Sequence, residues 1–137
     1  MKRMIYLVLP VLLVFAFVMS AAAAEEKPVV VKIAPDGVQR VEMLGGDYFF
    51  KPSHIIVKVN VPVELIIKKE SGMVPHNIIL NAPEAGINFS ESMGTDPKTI
   101  RFTPAKTGKY TFDCDKRFLF FKSHKDRGMT GVLEVVE

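Results

Sequence analysis

Residues 55–68 read Ile-Ile-Val-Lys-Val-Asn-Val-Pro-Val-Glu-Leu-Ile-Ile-Lys, two apolar runs separated by the turn Asn60-Val61-Pro62. In the first run Ile55, Val57 and Val59 fall on one face; in the second Val63, Leu65 and Ile67 do, with Glu64 and Lys68 on the other. Apolar residues recurring every second position describe a half-buried strand, because successive side chains of an extended chain point to opposite faces. The same short-period pattern extends in both directions. Pro28 to Ile33 and Val38 to Leu44 read as opening strands around the turn Pro35-Asp36-Gly37, with Gly45-Gly46 ending the second. Downstream, His76 to Leu80, Thr99 to Thr103, Lys109 to Cys114 and Val132 to Val136 read as strands, and residues 81–98, with Pro83 and Pro97, as a long irregular stretch holding at most a turn or two of helix. No segment carries a helical apolar face. Short strands with frequent turns predict an all-β protein, a Greek-key sandwich or barrel of about seven to eight strands.

The first two dozen residues differ in kind. Lys2 and Arg3 precede an almost wholly apolar run from Met4 to Met19, and Ser20 to Ala24 ends in the small-residue pattern Ala22-Ala23-Ala24. This is the layout of a secretory signal peptide, so residues 1–24 are expected to be cleaved before Glu25 and the chain to be periplasmic or otherwise extracytoplasmic. If retained, the same segment is about long enough to anchor the chain in a membrane. The leader holds no cysteine, which excludes a lipid-anchored lipoprotein. Residues 25–137 are the size of one domain. With 16 basic and 15 acidic side chains in that region, net charge selects no partner. There is no arginine-rich helix and no repeated basic-aromatic pattern, so nucleic acid is not an expected partner.

The single cysteine decides the chemistry to be expected. Cys114 cannot form an internal disulfide, and an unpaired thiol in an oxidising compartment is exposed to oxidation unless something occupies it. Alternation along Lys109 to Cys114 puts Tyr110, Phe112 and Cys114 on one face, which aims the thiol inward. A buried, inert cysteine has the same appearance. What distinguishes this one is the order His76, Cys114, His124, Met129: a thiolate, two imidazoles and a thioether, the soft and borderline donors that suit copper. Zinc remains an alternative for one cysteine and two histidines, with the methionine idle. No catalytic serine motif, phosphate loop or paired-carboxylate spacing is present.

The segments His76-Asn77, Tyr110-x-Phe112-x-Cys114 and His124-x4-Met129-x-Gly131, preceded by Phe50-x-Pro52 and Pro62-Val63-x-Leu65, resemble the cupredoxins, the blue-copper family that includes plastocyanin and azurin. The resemblance spans roughly residues 47 to 137. It implies His76, Cys114 and His124 as the strong ligands of one copper ion, Met129 as a weak axial ligand, and Asn77 as a tie between the ligand-bearing segments. It also implies a monomer that carries single electrons between redox partners such as cytochromes or oxidase and reductase complexes, and has no substrate of its own. Two alternatives belong to other classes: a copper redox enzyme of the nitrosocyanin type, and a periplasmic copper carrier or storage protein. Met129 argues against the enzyme, since an axial thioether covers the position that a substrate needs.

One departure from the family pattern is the nine-residue connection, residues 115–123, between Cys114 and His124, where familiar members place only a few. It contains Phe118, Leu119, Phe120 and Phe121, readable as an apolar collar beside the metal or as ordinary packing; packing is expected for at least two of the four. Lys116, Arg117, Lys122, Lys125 and Arg127 flank them as a basic rim that would steer an acidic redox partner or simply be solvated. Met73 and Met93 are expected to fill the core, His54 to be an ordinary surface or hydrogen-bonded histidine, and Asp113 and Asp115 to face away from the thiol.

Overall fold

The computed structural model describes residues 26–117 and 119–137; the predicted leader lies outside the described residues. Ten strands follow one another in the chain: β1 (Val29–Val30), β2 (Gln39–Gly46), β3 (Phe49–Lys51), β4 (His54–Lys58), β5 (Val63–Lys69), β6 (His76–Ala82), β7 (Ile87–Met93), β8 (Lys98–Phe102), β9 (Gly108–Asp113) and β10 (Thr130–Val136). Two short 3₁₀ turns, Pro83–Ala85 and Lys125–Arg127, are the only helical pieces among the described residues. Among those residues no helix is long and apolar enough to cross a membrane.

The strands form a six-stranded sheet in the order β1-β4-β10-β9-β6-β7 and a four-stranded sheet in the order β3-β2-β5-β8. The two runs that first indicate the fold, β4 and β5, sit in different sheets. Their apolar faces therefore meet across the core instead of side by side. Ile55 and Val57 from one sheet, and Val63, Leu65 and Ile67 from the other, are all buried, as alternation requires. Each such side chain withdrawn from water contributes about 1.5–3 kcal/mol. Ile78, Leu80, Phe112, Leu133 and Val135 complete the inner face of the larger sheet. Gln39 is a buried polar exception with every group satisfied. Its amide nitrogen donates to the carbonyls of Lys58 (3.2 Å) and Val61 (3.3 Å), and its oxygen accepts the Lys58 N–H (2.7 Å), which pins the β4–β5 turn to β2.

The structure adds two strands to those read from sequence. β3 is a three-residue hairpin partner of β2, too short to show a period. β7 crosses the stretch expected to be irregular, with Pro83 and Pro97 just outside it. Ile87, Phe89 and Met93 do alternate there, but Glu91 interrupts the apolar series at the surface, where its carboxylate pairs with Lys98 at 2.6 Å. Gly45-Gly46 are the last two residues of β2 and not a stop after Leu44, since they pair with Phe50 and Phe49 before the strand ends at Gly46. Gly45 is there for close approach: a Cβ would lie 2.8 Å from Cε of Met93. Conversely the opening strand shrinks to two residues paired with β4.

Gly131, at the start of β10, has no room for a side chain. A Cβ there would stand 2.3 Å from the Phe112 ring and 2.5 Å from the Ser53 carbonyl, and backbone cannot yield as a flexible side chain can. Gly131→Ala is expected to lower the stability of the fold by at least about 1–3 kcal/mol in urea denaturation. Gly94→Ala, where the nearest neighbour atoms are 3.9 Å away, is expected to stay within about 0.5 kcal/mol of the parent.

Candidate metal centre

One end of the sandwich collects the start of β6, the end of β9 and the start of β10. His76 opens β6 immediately after Pro75, whose ring biases the preceding Val74 toward extended backbone. Cys114 follows β9, and its N–H continues the β9–β10 ladder by donating to the Met129 carbonyl at 3.2 Å. Beyond Cys114 the chain leaves the sandwich for nine residues and returns at His124. Two main-chain bonds close the base of that excursion: His124 N–H to the Lys116 carbonyl (2.8 Å) and Lys125 N–H to the Cys114 carbonyl (2.9 Å). The unusual length is therefore taken up outside the neck. His124 then leads into the 3₁₀ turn Lys125–Arg127, and Met129 N–H donates back to the His124 carbonyl at 2.9 Å.

This scaffold brings three of the four predicted metal-binding side chains into contact. Nδ1 of His76 lies 3.1 Å from Nδ1 of His124, and Sγ of Cys114 lies 3.5 Å from the same His124 nitrogen. All three donor atoms fall within 4.8 Å of one another. Metal bonds of about 2.0 Å to imidazole and about 2.3 Å to thiolate separate donor atoms by roughly 3–4 Å around a trigonal or tetrahedral ion, so the arrangement fits one metal ion. Met129 is fully buried. It is tied to Cys114 and His124 through its backbone, and its methyl group lies 3.5 Å from where a Gly45 Cβ would stand.

Asn77 makes the tie that the family resemblance implies. Its N–H points at Sγ of Cys114 (3.4 Å), its side-chain nitrogen donates to Asp115 Oδ1 (2.8 Å), and its side-chain oxygen accepts the Asp115 N–H (3.1 Å). The strands carrying His76 and Cys114 are thus cross-linked beside the donors. Asp115 is therefore part of the framework around the thiol, and Asp113 points outward to Lys125 at 3.0 Å. His54 pairs with Glu134 at 2.8 Å, a hydrogen-bonded histidine as expected.

The cluster is dry. His76, Cys114 and His124 are 4%, 0% and 1% exposed. Burial is the main cause that holds both imidazoles below their usual pKa; the neighbouring His124 adds to it for His76, and Arg127 adds to it for His124. Burial likewise pushes the Cys114 thiol up, against the lowering effect of the Asn77 and Lys116 N–H groups. Neutral imidazoles present lone pairs to a metal, and the thiol must lose its proton to do so.

Sequence reasoning missed Tyr48. Its ring meets His124 edge-on at 5.4 Å, its hydroxyl accepts from Arg127 Nη1 at 3.1 Å, and the Arg127 guanidinium lies 4.9 Å from the ring centre. Tyr48 has φ 67°, an uncommon conformation for a bulky residue, held by these contacts. No period or motif marks such a residue. Two expectations for neighbouring residues are overturned. Met73 is 93% exposed instead of filling the core, because it sits in the turn before Pro75; Met93 is buried as expected. Leu119, Phe120 and Phe121 are all exposed, so the expected packing of at least two of the four loop residues fails. The neck that closes the excursion holds them off the sandwich. Phe118 lies outside the described residues.

The family model of the cupredoxin-like domain matches residues 7–129. Among solved structures, the chain is similar to the metal-binding domain of the Cu(I)-exporting P-type ATPase CopA of Streptococcus pneumoniae D39, solved with Cu(I). The identity is 24%, the TM-score 0.60, and the match covers 81% of this chain and 97% of that one. It is also similar to auracyanin from Roseiflexus castenholzii, at 19% identity and TM-score 0.57, covering 72% and 97%. Auracyanin A of Chloroflexus aurantiacus, a blue copper protein, matches at 19% identity and TM-score 0.54, covering 73% and 100%. At such identities the solved structures speak for the fold, and the family match spans most of the chain. A two-sheet sandwich with a buried His-Cys-His cluster at one end, together with that match, places this chain in the cupredoxin-like domain family.

Proposed function

We propose that this protein binds one copper ion through His76, Cys114 and His124, with Met129 as the weak axial ligand, and carries single electrons between redox partners. The observation that carries this reading is the convergence of two buried imidazole nitrogens with the only thiol of the chain. When bound, copper supplies one-electron chemistry in a site of three strong donors and one weak donor. The residues supply what an electron carrier needs. Main-chain bonds at the neck and the Asn77–Asp115 tie hold the donors in place, so a change of charge meets little rearrangement. The Asn77 N–H directed at Sγ stabilises negative charge on sulfur. Burial of Met129 together with the three donors favours a carrier over an enzyme with an open position.

In this reading residues 1–24 are a cleaved leader and residues 25–137 the working domain. The protein acts as an extracytoplasmic monomer, with cytochromes or oxidase and reductase complexes as partners. Structures similar in fold include the periplasmic domain of subunit II of a cytochrome oxidase from Bradyrhizobium japonicum, a setting in which the fold meets redox machinery.

Titrating the purified domain with Cu(II) is expected to give an intense visible thiolate-to-copper band with a matching electron-spin-resonance signal, both lost in Cys114→Ser. A colourless protein that takes up one zinc ion and no copper would refute the assignment. Met129→Leu is expected to keep copper and raise the reduction potential in a voltammetric measurement, since an apolar group in place of the thioether favours Cu(I); total loss of copper would show that the thioether is not a weak ligand. A pH effect follows for the metal-free protein. Because folding depresses the pKa of His76 and His124 below 6.5, the unfolded chain binds more protons as pH falls through that value. Stability is expected to be full above about pH 6.5 and to decline on acidification, seen as a falling urea midpoint, with a smaller decline in His76→Gln.

A further inference from the structure

We infer that the loop between Cys114 and His124 is a membrane-docking device that inserts its apolar tip into the headgroup region of an anionic lipid surface. Leu119, Phe120 and Phe121 are 66%, 90% and 49% exposed, three consecutive apolar side chains at the end of an excursion. The left-handed backbone of Leu119 (φ 55°) turns the chain at that tip, and the rings of Phe120 and Phe121 lie against each other at 5.7 Å. A soluble surface rarely presents such a run without a use for it.

Charge selects the partner. Residues 113–127 hold five of the sixteen cations in residues 25–137 but only three of the fifteen carboxylates, so the rest of that region is slightly acidic. Arg117 and Lys122 bracket the tip and are exposed. The nearby carboxylates are turned to other groups: Asp113 to Lys125, Asp115 to Asn77 and Asp126 to the Ser123 hydroxyl at 2.6 Å. Asp47 and Glu70, beside His76, are exposed acids at this end of the molecule, set apart from the loop. Aromatic and aliphatic residues ringed by lysine and arginine are the composition of segments that lie in a lipid interface.

Shape separates lipid from protein. Three side chains offer roughly a few hundred Å² of apolar surface, well under the roughly 800 Å² that each partner contributes to a stable protein interface. A protruding tip needs a matching cavity on a protein, whereas a headgroup layer deforms around it. The neck formed by His124 N–H to Lys116 and Lys125 N–H to Cys114 fixes the loop to the metal centre, so docking would hold the His124 side of the domain toward the bilayer. Such docking is peripheral and reversible, distinct from a span.

The chain has no tryptophan, so a single introduced one reports its own surroundings. In the full chain carrying Phe120→Trp, vesicles of mixed phosphatidylcholine and phosphatidylglycerol are expected to shift the emission to the blue, and lipids brominated on their acyl chains to quench it. Thr107→Trp, in the exposed turn at the opposite end of β9, is expected to show neither effect even if the leader holds the chain at the vesicle. Adding Arg117→Gln and Lys122→Gln to Phe120→Trp should weaken the response on the order of fivefold per charge removed. The inference is overturned if Phe120→Trp emits as in water on anionic vesicles, responds equally to phosphatidylcholine alone, or is matched by Thr107→Trp. It is likewise overturned if emission shifts only on adding an acidic redox protein, which would make the loop a protein-docking surface. Copper binding is not needed for any of these readings, so they stand or fall apart from the proposed function.

Discussion

Two main-chain hydrogen bonds at the base of the last connection, from His124 to Lys116 and from Lys125 to Cys114, are the constraint on which the metal centre rests. Without them the thiol and the second imidazole would be joined by nine residues of surface loop, and their separation would vary with every motion of that loop. With them, Cys114, His124 and Met129 become three points on one rigid corner, because the Met129 amide and carbonyl also bond to His124 and Cys114. The sheet then supplies the fourth point. β6 runs beside β9 in the larger sheet and delivers His76 to the same corner.

The second governing fact is the burial of the donors at that corner. Three polarisable donors are enclosed together, with the Asp47 carboxylate 3.9 Å from Nε2 of His76 at the exposed rim and Arg127 near His124. Enclosure alone favours uncharged imidazoles and an uncharged thiol. A cation reverses the balance, since it replaces the proton on sulfur and is bound by lone pairs that are already in place. The N–H of Asn77 anticipates that reversal, for it is a fixed dipole aimed at sulfur whether or not the charge is there.

Much of this could be read from the amino-acid order. The alternation of Ile55 to Lys68 and of Tyr110 to Cys114 follows from the geometry of an extended chain, and the structure keeps it. The grouping of His76, Cys114 and His124 was legible from donor chemistry and order along the chain. What escaped is what depends on contacts between distant residues. Gly45-Gly46 looks like a terminator by local rules, yet it is a strand segment emptied of side chains to admit Met93. Tyr48 carries no signal because its role is defined by His124 and Arg127, some eighty positions away. The loop aromatics were misjudged for a related reason. Composition favours burying three apolar residues in a row, but a closed neck leaves Leu119 and Phe120 exposed and Phe121 only half-covered, beside Arg127.

Gly45 bears on more than packing. It belongs to the smaller sheet, while His76, Cys114 and Met129 are mounted on or beside strands of the larger one, and the methyl groups of Met93 and Met129 both reach toward the space its missing Cβ leaves. The metal corner is thus roofed by the opposite layer. Sliding of one sheet over the other would bring the Gly45 backbone against the thioethers and shift Tyr48 against the His124 ring. The Met129 side of the cluster is in that sense a strain gauge for the whole sandwich, registering how well the two layers are seated.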